Sequence, residues 1–182
     1  MSSDETLMLE FQQGSRPAFE ELYARYAGPL HGFFRRRLAD PQRAEDLAQE
    51  TFLVIVRGAE RYEPRALVKT YLYAVAMKQL AGEQRRQARE WVYNPPVEPA
   101  TSSQTESQLW VRQALDKLEA GEREVLMLRE YEQLSYTEIA RLLRVPLNTV
   151  RSRLFRARMA MKQHLETRRP IPSPDTFTGE EA

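Results

Sequence analysis

The chain has 182 residues, 42% of them hydrophobic, and its 27 lysines and arginines nearly balance 26 acids, for a net charge of +1. Zero cysteines exclude disulfides, thiolate zinc sites and a cysteine nucleophile, and His31 and His164 lie far apart in sequence. With no Gly-rich phosphate loop, no serine elbow, no apolar run near the roughly 18 residues of a bilayer span and a polar start (MSSDETL), nothing supports an enzyme, a metal or cofactor site, a membrane anchor or a signal peptide; the expected compartment is the cytoplasm.

The charge is unevenly placed. Residues 1–63 carry net −3, 64–93 net +4 and 147–169 net +6, with the remainder at −6. Two basic blocks separated by acidic material suit two contacts on one polyanion.

In chain order, Phe19, Leu22, Tyr23, Tyr26, Leu30, Phe33, Phe34 and Leu38 keep one stripe of a long helix, with Pro17 near its first turn and a kink expected at Pro29. Asp40 and Pro41 start a second helix, as cap and first helical residue, whose inner side is Ala44, Leu47, Ala48, Thr51 and Ile55. On it Asp46 and Glu50 are four apart and share a face, with Gln49 beside them. By residue physics alone that face reads better as solvated surface than as a docking site for a basic partner.

Leu67, Tyr71, Leu72, Val75, Ala76 and Leu80 form a third stripe. Around it, Tyr71 and Tyr73 alternate with Arg65, Lys69, Lys78, Arg85, Arg86 and Arg89. Aromatic faces beside cations suit unstacked bases of a single strand, though core packing would explain Tyr71 equally well. Residues 94–108 (NPPVEPATSSQTESQ) have three prolines and no large apolar residue, and read as a flexible linker.

Beyond it, helices are expected over 109–118 and 122–131. Residues 135–161 then give two short amphipathic helices around Val145-Pro146-Leu147, with Asn148 and Thr149 as cap candidates. The second helix keeps Val150, Leu154, Ala157 and Met161 on one side, and arrays Arg151, Arg153, Arg156, Arg158 and Lys162 elsewhere with no acid before Glu166. This is the pattern of a helix-turn-helix whose second helix enters a major groove. Residues 167–182, with three prolines and no periodicity, read as a disordered tail. The expected fold is therefore all-α: two small helical domains (1–93 and 109–166) on a flexible linker.

Three segments, AFEELYARYAGPL (18–30), AEDLAQETF (44–52) and SYTEIARLLRVPLNTVRSRLFRAR (135–158), together resemble the extracytoplasmic-function sigma factors of the sigma-70 family. The resemblance implies that 1–93 is region 2 and 109–166 region 4. It implies docking of Asp46, Gln49 and Glu50 on the β′ clamp coiled coil of core RNA polymerase, and packing of region 4 on the β flap. It assigns melting and reading of the −10 element to residues 62–86, with Lys69, Tyr71, Tyr73, Lys78, Arg85 and Arg86 as candidates. Reading of the −35 element falls to the helix-turn-helix 136–155, with Thr149, Arg151, Ser152, Arg153, Arg156 and Arg158 as candidates. Promoter DNA and an anti-sigma factor are the other implied partners; no cofactor is. The chain departs from the family pattern at Met77-Lys78 (often Arg-Asn), Gly82 (often Asp), Tyr71 (commonly Trp) and Arg144 (usually Gly). Two other readings stay open: a free-standing helix-turn-helix regulator that binds duplex DNA as a dimer, and a sigma-like adaptor that has lost promoter reading.

Overall fold

In a computed structural model, which describes residues 2–63, 67–93 and 106–166, the protein is built from α-helices and one 3-10 turn, with no strand among the described residues. The helices are α1 (Asp4–Gln12), α2 (Arg16–Arg35), α3 (Pro41–Gly58), α4 (Val68–Tyr93), α5 (Glu106–Asp116), α6 (Ala120–Glu130), α7 (Tyr136–Leu143) and α8 (Leu147–Glu166); the 3-10 turn is Ala59–Arg61.

Helices α1–α4 pack as one bundle. Its centre is Leu30, Phe33, Phe34, Leu47 and Ala76, each at most 1% exposed. α2 starts as its sequence dictates: Ser15 accepts a hydrogen bond from Ala18 N, Pro17 lies in the first turn, and the helix runs as one element through Pro29. It ends at Arg35, so Leu38 completes the apolar stripe from beyond the helix. Asp40 caps α3 by accepting from Gln42 N and Arg43 N. α4 buries Leu72, Ala76 and Leu80, whereas Leu67 precedes the helix and is 47% exposed.

α1 has no counterpart among the sequence-derived helices. It is short and only weakly amphipathic, but tertiary partners hold it. Ser3 caps it through Thr6 N, and Leu7 and Met8 are buried. Asp4 pairs with Arg25 and Tyr26 of α2, and Gln12 Nε2 donates to Ala59 O (2.7 Å) and Tyr62 O (2.8 Å). Glu5 Oε1 accepts from Val68 N (3.2 Å) and so satisfies a free amide in the first turn of α4.

Helices α5–α8 pack around Val125, Leu128, Leu134, Ile139, Val150, Leu154 and Ala157. α5 begins three residues inside the expected linker, at Glu106; residues 94–105 and the tail 167–182 lie outside the described residues. α7 opens with a capping box the sequence reading did not use: Glu138 N donates to Ser135 Oγ (3.2 Å) and Ser135 N to Glu138 Oε2 (2.7 Å). It closes on Arg144, which adopts φ 55°, ψ 45° where the family pattern has glycine. Val145 N then reaches back to Ala140 O (3.0 Å), the six-to-one bond of a Schellman ending. The strain of a side chain in the left-handed region, about 1–2 kcal/mol, is carried rather than avoided.

Candidate nucleic-acid and protein interfaces

The amphipathic pattern of α8 fixes how its cations are offered. Val150, Leu154 and Ala157 are at most 1% exposed and hold the helix on its own domain. α8 begins at Leu147, so Asn148 and Thr149 lie in its first turn rather than outside it; Thr149 N and Val150 N both donate to Pro146 O (2.9 and 3.2 Å). Asn148 Oδ1 accepts from Arg151 (3.3 Å), and Ser152 Oγ donates to Thr149 O (3.0 Å). Arg151 and Ser152 are exposed, and Thr149 is half-buried.

The later arginines turn toward α6. A Cβ on Gly121 would sit 3.1 Å from the guanidinium carbon of Arg153. Arg156 Nε donates to Glu122 Oε1 (2.6 Å), and Arg158 NH2 to Glu130 Oε1 (2.8 Å). Of the six candidates on this helix, the structure thus leaves Arg151 and Ser152 at the open N-terminal end, sets Arg153 beside Gly121, and pairs Arg156 and Arg158 with α6 acids while their side chains stay 55% and 46% exposed. Phe155 (65% exposed) and Met159 (48%) lie between them as an apolar surface the sequence reading did not single out.

The candidates on α4 also divide. Lys78 and Arg85 are exposed. Tyr71 is half-buried against Tyr62, with ring centroids 5.4 Å apart, and burial raises its hydroxyl pKa. Tyr73 is 1% exposed and donates its hydroxyl to Glu132 Oε2 (3.2 Å) of the second domain. Burial, with the Glu132 charge behind it, holds its pKa far above the usual phenol value. In this arrangement Tyr73 is a core residue and offers no ring face to a base. Lys69 donates to Gln133 O (3.2 Å), again across to the second domain. Met77 packs half-buried on the core, whereas a Cβ at Gly82 would meet nothing within 4 Å.

Arg86 belongs to a network that ties α4 to α3. Its NH2 and Nε donate to Glu83 (2.7 and 3.1 Å), which also accepts from Gln87 (3.0 Å) and from Arg43 Nε (2.9 Å). The Glu83 side chain is 1% exposed, and the Arg86 hydrogen bonds, helped by Arg43, hold its carboxyl below the usual carboxylate range despite burial. Arg43 NH1 continues to Glu50 Oε1 (3.0 Å) and approaches Asp46 Oδ2 (3.9 Å). The acidic face of α3 therefore lies three contacts from Arg86 of α4, through Arg43 and Glu83. Neither Arg43 nor Glu83 was singled out by the sequence reading, because the pairing joins positions 40 apart and leaves no local pattern.

Asp46 and Glu50 remain open, with side chains 45% and 43% exposed. Gln49 sits beside them, and with Tyr23, Gly28, His31 and Phe52 lines a groove of about 370 Å³ between α2 and α3. Leu53 (52% exposed) and Val56 (41%) extend the apolar surface on α3. An acidic rim beside an apolar groove is the form of a protein-docking face with a basic partner.

Comparison with known proteins bears on both domains. Residues 22–90 match the model of sigma-70 region 2, and residues 108–161 that of sigma-70 region 4. The chain is 32% identical over 161 residues to RNA polymerase sigma factor YlaC of Bacillus subtilis, covering 82% of this chain and 93% of that protein. The chain belongs to the extracytoplasmic-function sigma factors. ECF RNA polymerase sigma factor SigM of Mycobacterium tuberculosis is 30% identical over 169 residues, covering 90% of this chain and 85% of that one. Among solved structures, the fold matches the sigma factor RpoE of Bartonella quintana in complex with the anti-sigma factor NepR, at TM-score 0.68 and 23% identity, over 83% of this chain and 98% of that chain. In this sigma factor, region 2 therefore spans α2 to α4, region 4 spans α5 to α8, and α1 lies ahead of the matched part.

Proposed function

We propose that this sigma factor docks on core RNA polymerase through Asp46, Gln49 and Glu50 and places two DNA-reading elements on a promoter. The carrying observation is the joining, in one chain, of a region 2 bundle with an exposed acidic face and a region 4 helix-turn-helix. Core binding falls to the acidic rim and the groove beside it, because the β′ clamp coiled coil is the partner the family resemblance assigns to this face. Reading of −10 falls to the exposed cations Lys78, Arg85 and Arg86, with Lys69 and Tyr71 joining as the surface opens. Reading of −35 falls first to Arg151 and Ser152 with Thr149, since the early turns of a recognition helix meet the bases. Arg153, Arg156 and Arg158 then act on the DNA backbone or hold α8 on α6.

The protein works as an initiation factor without catalysis or cofactor of its own, in the cytoplasm; no described helix is long and apolar enough to cross a membrane. An anti-sigma factor suits the exposed apolar residues Leu53 and Val56 on α3 and Phe155 and Met159 on α8. The test is in-vitro transcription with purified core polymerase on a promoter library. The expected result is initiation that needs both proteins. A chain that footprints a duplex site tightly alone and never supports initiation would be a free-standing regulator. One that binds core without initiating would be an adaptor.

A further inference from the structure

The boundary between the two domains is built around one carboxylate. Glu132, in the turn after α6, has a side chain only 1% exposed. Arg36 NH2 donates to both its oxygens (2.9 and 3.1 Å), Arg37 NH1 to Oε1 (3.2 Å) and the Tyr73 hydroxyl to Oε2 (3.2 Å). All of these donors belong to region 2. Arg37, itself 5% exposed in its side chain, also bridges to Glu124 of α6 (3.0 Å) and lies 3.9 Å over the Phe33 ring. Arg36 stacks on the exposed Tyr131 at 4.6 Å. At the rim, Lys69 donates to Gln133 O and Thr70 Oγ1 to Glu138 Oε1 (3.4 Å), so the first turn of α4 faces the start of the helix-turn-helix.

Buried ionic clusters of this kind contribute little net stability against water, but they fix one relative position, because removing either side strands a charge. This cluster is also imperfect: Arg37 Nε is buried without a partner. The polar contacts of this boundary centre on charge pairs, and domains of one chain move relative to one another by default unless their interface is large and hydrophobic. This boundary must open for the proposed function. Positions −35 and −10 differ by about 25 base pairs, roughly 85 Å of duplex at about 3.4 Å per pair. With Glu132 within hydrogen-bond reach of Arg36 and Tyr73, one small domain lies directly on the other, and the two reading surfaces cannot occupy sites that far apart.

We propose that Glu132 is an intramolecular latch that holds the free chain shut, withdraws Lys69 from DNA, and is released when polymerase and promoter hold the domains apart. The inhibitory part of this proposal rests on the sigma-factor reading above; the latch itself does not. The chain has no cysteine, so Glu60→Cys and Lys117→Cys, both at exposed positions of opposite domains, give a clean pair for spin labels. Pulsed dipolar spectroscopy of the free full-length chain should give one narrow, short distance. Glu132→Ala, Glu132→Gln and the double variant Arg36→Ala/Arg37→Ala should each raise the long-distance population at least tenfold, and adding Glu132→Ala to the arginine pair should add nothing further. The arginine pair keeps the test valid if a Glu132 variant folds poorly, which circular dichroism reads directly. At limiting core polymerase, Glu132→Ala should raise the initiation rate severalfold, and at saturating core it should equal the wild type. An unchanged distance distribution in folded variants of both domains overturns the latch. Opening without any gain at limiting core overturns the inhibitory role. If even the wild type fails to initiate, the sigma reading falls and the distances alone decide whether the latch exists.

Discussion

Reversal of the acidic face on α3 separates docking from folding. Asp46→Lys with Glu50→Lys removes the two exposed acids and changes what Arg43 meets. Glu50 lies 3.0 Å from Arg43 and Asp46 3.9 Å, both pairs partly in solvent, where such contacts contribute about 0.2–1 kcal/mol each. Arg43 keeps its 2.9 Å bond to buried Glu83, so the network survives at its inner end. The expected loss of region 2 stability is about 1 kcal/mol, a little more with lysine repulsion included, or about 4–8 °C in Tm for a domain of this size. Against polymerase the same charges would be desolvated beside basic partners, where a close pair is worth about 1.5 kcal/mol or more. Two lost pairs give about 3 kcal/mol, roughly a 100-fold rise in Kd. The isosteric pair Asp46→Asn with Glu50→Gln should keep most of the stability and weaken docking by roughly tenfold. Fluorescence titration of labelled protein with core polymerase gives Kd, and a thermal melt gives stability. A reversed variant that melts near the wild type yet binds core within twofold of it would refute the docking argument.

Three further outcomes follow from the site geometry. Arg151→Ala should alter −35 base preference by about 1–3 kcal/mol at one position, whereas Arg158→Ala, whose guanidinium already meets Glu130, should leave preference intact and cost only a few tenths of a kcal/mol of region 4 stability; a promoter-variant panel transcribed by each mutant decides this. Arg144→Gly should relieve the left-handed strain at φ 55° and, after the entropy cost of glycine, raise region 4 stability by up to about 1 kcal/mol, read by urea titration. Glu83 has a folded pKa below its unfolded one, so its contribution is present above the ordinary carboxylate pKa and is lost as pH falls through the lowered folded value. Region 2 stability should therefore drop on acidification below about pH 4.5, and Glu83→Gln, less stable at neutral pH, should show a flatter acid limb in urea titrations across pH.

The helices with long apolar stripes were legible because each stripe buries against a neighbour: Leu30, Phe33 and Phe34 on α2, and Val150, Leu154 and Ala157 on α8, are all fully buried. Caps built from local chemistry, such as Asp40 before Pro41, were equally readable. α1 was not, since its stability comes from Gln12, Asp4 and Glu5 reaching residues 21 to 63 positions away. The candidate site followed the same rule. The part-open side chains of Asp46 and Glu50 and the exposure of Arg151 and Lys78 agree with their helical faces, but Tyr73 was taken from an aromatic and basic rhythm that does not say which ring points inward. Its partner Glu132 is 59 residues away, and no sequence pattern joins the two.

The contacts that α1 makes at Ala59, Tyr62 and Val68 make it a brace for the approach to α4. Gln12 grips the entry to the stretch before α4, through Ala59 and Tyr62, and Glu5 grips its exit at Val68. Trimming the first dozen residues, a routine step when a region 2 fragment is cut to its matched borders, would free both ends of that stretch at once. On the function proposed above, the damage would surface in −10 opening, even in a fragment that is helical and still docks.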